Sequence, residues 1–136
     1  MTYYISKIVN APFEETVART IEALKAEGFG VLTDIDVAAT MKAKLDIDFR
    51  PYRILGACNP ELAHHALSLE DKVGTMLPCN VVVQQTPEGR TEVAAIDPVA
   101  SMQAIPNSQL AEKAALVARK LRSAIERLAA DTRPPA

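Results

Sequence analysis

The spacing of hydrophobic and polar positions changes period several times along the chain, and each change predicts an element. Thr2 to Val9 mixes aromatic, β-branched and polar residues in rough alternation, which suits a half-buried first strand that Asn10-Ala11-Pro12 then stops. Phe13, Val17, Ile21 and Leu24 follow at helical spacing, opposite Glu22, Lys25 and Glu27. Pro12 suits the first turn of this helix, Glu14 and Glu15 lie where the positive end of its dipole favours carboxylates, and Gly28 supplies the C-cap. From Phe29 to Val37 the period becomes two, predicting a second strand beside the first on an antiparallel sheet. Ala38 to Leu45 is rich in good helix formers and reads as a short helix. Asp46 to Pro51 is an irregular lead-in to a third short strand, Tyr52 to Gly56.

Asn59-Pro60-Glu61 is a strong helix start, combining a capping Asn, a Pro at the first helical position and a carboxylate in the first turn. Leu62, Ala66 and Leu69 give that helix its apolar side, and Glu70 to Gly74 is a polar connection. Thr75 to Gln85 reads as a strongly apolar strand, with Pro78 near its start where a missing ladder donor is tolerated. Thr86 to Arg90 is a turn, Thr91 to Ile96 the returning strand of a hairpin, and Val99 to Pro106 a loop containing Met102. A long helix is expected from Asn107 or Ser108 to Ala130, with Leu110, Ala114, Val117, Leu121, Ile125 and Leu128 on one stripe. Lys113, Lys120, Arg122 and Glu126 are expected to face water, and residues 131–136 to form a frayed tail after a single domain over residues 1–130. The order β-α-β-(short α)-β-α-β-β-α predicts an α+β domain: a curved, mostly antiparallel sheet with helices on one face.

Composition narrows the partners. The 136 residues are 49% hydrophobic, enough for a real core, and carry a formal net charge of −2 with no basic run. With aromatic residues at 4% and no Trp, the chain offers neither a cationic face nor stacking platforms, so nucleic acid is not an expected partner. The N-terminal residues lack the pattern of a signal peptide and no apolar run is long enough for a membrane span, so a soluble, cytoplasmic protein is expected. In that compartment two cysteines are expected to be reduced rather than bridged.

Both cysteines sit in distinctive company. Cys58 directly precedes the capping Asn59, and a thiol beside a helix N-terminus lies in a positive potential that favours thiolate. The competing reading is that Cys58 ends a strand and fills space between sheet and helix. Cys79 enters the apolar strand after Pro78; if the third and fourth strands are neighbours, it approaches Cys58. That pair would suit a redox sensor or thiol-transfer enzyme, with Cys58 as nucleophile and Cys79 as resolving thiol, although no Cys-x-x-Cys spacing is present. Adding His64, from the helix after Cys58, would complete three zinc-type ligands, but the usual spacing signatures are missing and no metal is assigned. The alternating acids Asp34, Asp36, Asp46 and Asp48 lack the register of a calcium loop, and Gly28-Phe29-Gly30 runs from helix to strand, the reverse of a phosphate cradle.

The motifs Gly28-Phe29-Gly30-Val31, Tyr52 to Pro60 with Ala63 and His64, Leu77-Pro78-Cys79-Asn80-Val81-Val82-Val83, and Ile96-Asp97-Pro98 with Met102 together resemble the bacterial and archaeal domain-of-unknown-function 302 family. The resemblance covers nearly the whole chain. It implies one compact α+β domain similar in fold to the TATA-binding-protein class, with a curved sheet and a long C-terminal helix, and it implies no activity. The leading functional expectation is a ligand-binding or interaction module, expected as a homodimer. Its site would gather Cys58, Asn59, His64, Pro78, Cys79 and Met102 between the sheet and its helices, where ligand clefts form. Thiol redox chemistry at Cys58 and Cys79, and metal binding through Cys58, His64 and Cys79, are the alternatives; the cofactor is unassigned.

Overall fold

The computed structural model describes residues 2–133. Five strands, β1 (Tyr4–Val9), β2 (Gly30–Asp36), β3 (Tyr52–Cys58), β4 (Cys79–Gln85) and β5 (Thr91–Ile96), form one open antiparallel sheet in the order β1-β5-β4-β3-β2. Five helices, α1 (Phe13–Ala26), α2 (Val37–Leu45), α3 (Pro60–Leu69), α4 (Pro98–Ser101) and α5 (Ser108–Glu126), complete the α+β domain. A 3₁₀ turn at Val73–Met76 links α3 to β4. No helix among the described residues is long and apolar enough to cross a membrane.

The alternation of burial along the strands decides which face the helices cover. Leu55 and Ala57 of β3, Val81 and Val83 of β4, and Val93 and Ala95 of β5 are all buried on one face. Register keeps them in line, pairing Leu55 with Val81, Ala57 with Cys79 and Val83 with Val93. Helices α1 and α5 lie over this face through Val17, Leu24, Leu121 and Ile125. The expected stripe of α5 is buried except for the half-buried Val117, and the buried Ala118 and Ala124 widen it. A second, smaller cluster of Ala66, Val73, Met102, Leu110 and Ala114 gathers at the other end of α5, between α3 and α4.

Several expectations are corrected. The second strand does not neighbour the first: β2 and β1 are the two edges of the sheet, with β5, β4 and β3 between them. Local alternation identifies a strand but not its partner, and β2 finds β3 across the α2 excursion. The strand expected from Thr75 starts only at Cys79, since residues 75–78 belong to the 3₁₀ turn and a cis Leu77-Pro78 bond. The loop holding Met102 contains α4, begun by Asp97, whose side chain accepts from the Val99 N–H at 3.0 Å. Helix α5 stops at Glu126 rather than Ala130. The expected frayed tail is tied to the edge of β1 as far as it is described, by Asp131 N–H to Ile8 C=O at 2.8 Å and a bridge between Val9 and Ala130. Residues 134–136 lie outside the described residues.

Two threonines on α1 are buried where the apolar pattern left polar positions. Thr20 Oγ1 donates to Thr16 C=O at 2.7 Å, while Thr16 and Thr91 donate to Ala11 C=O, so no buried hydroxyl among the described residues is orphaned. Asp34 accepts two bonds from the Arg53 guanidinium, which holds its carboxyl below the ordinary range, and Asp36 caps α2 through Ala39 N–H at 2.9 Å. The acids of this region thus serve the fold.

Gly56 is the tightest point of the sheet. It pairs with Thr33 of β2, where the register shifts, and with Asn80 of β4. A Cβ there would collide with Thr33 Oγ1 and lie 2.7 Å from Pro78 Cγ. Gly30, by contrast, has nothing within 4 Å of such a Cβ. Gly56→Ala is therefore expected to destabilise the domain by about 1–3 kcal/mol, the usual penalty of overpacking, whereas Gly30→Ala stays within about 0.5 kcal/mol. Urea unfolding of the two variants measures the difference.

Candidate functional site

Cys58, the last residue of β3, follows Ala57, the register partner of Cys79. The two motifs therefore meet at one end of the sheet, and both thiols are free. Next along the chain, Asn59 caps α3 by accepting the Leu62 N–H on its Oδ1 at 3.2 Å. Gly28, at φ 89°, ends α1 in the left-handed region and leaves room for the Asn59 amide, which would sit 3.1 Å from a Cβ at that position. The cap of α3 thus packs against the end of α1. A second cap works from the other side: Asn107 accepts Leu110 N–H at 3.0 Å to start α5 and donates to Leu69 C=O at 3.2 Å, joining the start of α5 to the end of α3.

Between these anchored helices and the sheet end lies a cavity of about 310 Å³. Phe29, Ala57 and Cys79 bring the main core to its wall, and Ala66, Met102 and Ala114 bring the smaller cluster. The space exists because α3 and α5 present alanines here: Ala63, Ala66 and Ala114 are too short to close the gap that longer side chains would fill. Leu32 and Leu67, both lining it, are 68% and 45% exposed and so mark its rim.

Five of the six residues singled out in the sequence line this cavity: Cys58, Asn59, Pro78, Cys79 and Met102. His64 does not; it is exposed on α3, where Leu62 and Ala66 take the buried positions and Ala63 also lines the cavity. A Cys58, His64, Cys79 metal set is consequently not assembled, and the described residues contain no group of three or more His, Cys, Asp or Glu able to hold a metal. Lys113 is a further correction. Expected to face water, it is half-buried and lines both the cavity and the shallow groove outside it that includes His65 and Glu112. Periodicity placed it off the main stripe of α5, but the second cluster and α3 widen the covered arc of that helix.

The thiols differ in setting. Cys79 is buried and Cys58 is half-buried. Burial pushes the Cys79 thiol up to about 11, and negative charge on Cys58 would add to the rise. Cys79 is thus a neutral thiol at pH 7, which weakens its expected part as a ready resolving thiolate.

A thiol whose pKa is raised by folding favours the folded state while protonated. That contribution is complete below the ordinary value of 9.0 and is lost as pH rises through about 11. Wild-type stability should fall by on the order of 2–3 kcal/mol more than that of Cys79→Ala across this window. Denaturant unfolding of both proteins below pH 9.0 and near pH 11 checks the difference.

Comparison with known proteins bears on the whole chain. The family model described as Domain of unknown function DUF302 matches residues 5–128. A crystal structure of an uncharacterized conserved protein DUF302 from Bacillus stearothermophilus is 32% identical and superposes with a TM-score of 0.88, covering 94% of this chain and 99% of that one. No curated protein matches.

Proposed function

The chain belongs to the DUF302 family, a membership that brings no activity with it, and we propose that this domain is a binding module for a small, largely apolar molecule held in the cavity between α3, α5 and the end of β3 and β4. The observation that carries this reading is the cavity itself. At about 310 Å³ it falls at the lower end of small-molecule sites, its wall is mostly aliphatic, and both cysteine motifs border it. An apolar void of this size forfeits packing energy in the empty protein, and an apolar occupant would restore it. The exposed Leu32 and Leu67 at the rim support an apolar path inward. The form we propose is a cytoplasmic homodimer; sedimentation of the native chain checks its subunit number.

That both thiols line the cavity favours a second reading, in which a peroxide entering it oxidises Cys58 and Cys79 to a disulfide, the two thiol hydrogens leaving with the reduced peroxide as water. The neutral state of Cys79 ranks it below simple binding. Intact mass after mild oxidation distinguishes the two: loss of two hydrogens from the native protein favours the redox reading, and an unchanged mass removes it.

Ala114→Phe places a ring in the cavity. The wild-type chain is expected to bind the neutral dye N-phenylnaphthylamine at one saturable site, seen as a rise in its fluorescence. The variant should weaken that binding by about tenfold or more, equivalent to about 1.4 kcal/mol. Equal dye binding by both proteins would remove the cavity as the site.

A further inference from the structure

The wall of this cavity is apolar except at four side chains, and what those four can do is one-sided. Lys113 offers only donors and a positive charge. Asn59 has committed its carbonyl oxygen to Leu62 N–H, which leaves its NH₂ group as the free part, and that group makes no hydrogen bond among the described residues. Cys58 and Cys79 are thiols, weak donors when protonated. Among the described residues no carboxylate lines the cavity. Glu112 lines the outer groove, yet it forms no ion pair with Lys113, whose ammonium has no hydrogen-bond or ion-pair partner among the described residues.

Resting on the reading of the cavity as a ligand site, we propose that its occupant is an amphipathic anion: a medium-chain carboxylate whose apolar body fills the cavity and whose head group is held at the mouth by Lys113. Lys113 is placed for this because the residue borders both the cavity and the outer groove, at the junction of apolar interior and open surface. An ammonium without an ion-pair partner gives up no existing contact when it meets an anion, and an apolar rim beside it strengthens the attraction by lowering the local dielectric. The free donors would go unanswered by a plain hydrocarbon. A carboxylate answers the Lys113 charge, whereas an alcohol of the same chain length offers a hydrogen bond without using the charge. The volume favours a medium chain over a long one.

Octanoate and octanol share a chain length and differ in charge at pH 7, so calorimetric titration of each into the native chain separates body from head. Wild-type protein is expected to bind octanoate about tenfold more tightly than octanol. Lys113→Met should erase most of that preference by weakening octanoate about tenfold and octanol by much less, and Lys113→Arg should restore it. Equal affinity for the two probes, or a Lys113→Met variant that weakens both alike, would overturn the anionic head group and leave the apolar cavity site standing. Failure of the wild-type chain to bind either probe, together with no dye binding, would overturn the cavity reading and this inference with it.

Discussion

The antiparallel register between β3 and β4 is the constraint on which the rest of the molecule hangs. Pairing Leu55 with Val81 and Ala57 with Cys79 puts four buried side chains on the face that α1 and α5 cover. A slip of one strand by one residue would turn its pair of them outward. The same register sets Gly56 beside Asn80 and directly under the Pro78 ring and Thr33 hydroxyl, where no side chain fits. It also ends the two strands together, so that Cys58 and Cys79 meet at one edge of the main core and the chain leaves β3 straight into the Asn59 cap. Strand pairing, helix start and candidate site are thus one geometric event.

From that edge the domain continues as two apolar clusters joined through α5. The larger is a sheet-and-helix core of Val, Leu and Ile; the smaller packs α3 and α4 against the first turns of α5. Where the clusters face each other, Ala63, Ala66 and Ala114 stand among larger neighbours such as Phe29, Leu62 and Leu110, and short side chains at those points leave a void. Collapse of α3 into that void is opposed at both ends of the helix, by Asn59 against Gly28 and by Asn107 on Leu69. Each is a local cap of modest strength, about 1 kcal/mol, and together they keep the walls apart.

The residue composition of the seam then gives it a chemical sense. Burial keeps Cys79 neutral, Asn59 has spent its acceptor on the cap, and Lys113 stands at the boundary with water. The lining thus combines an apolar interior with few polar side chains, of which the strongest hydrogen-bonding groups left without a partner are donors.

Much of this was legible along the chain. Helical spacing from Phe13 to Leu24, the Asn59-Pro60-Glu61 start, the hairpin of Thr91 to Ile96 and the stripe of α5 all rest on local periodicity and capping, and the elements stand near where those signals put them. The α+β class follows from their order. Five of six candidate site residues share one cavity because strand ends and helix starts are where clefts open. Tertiary structure alone decided the rest. That β2 lies at the edge opposite β1, that His64 turns outward while Ala63 turns in, and that Lys113 is half-buried all depend on which element packs against which. Periodicity reports which face of an element is buried but carries no information about its partner, and a void between two partners is written in neither of them separately.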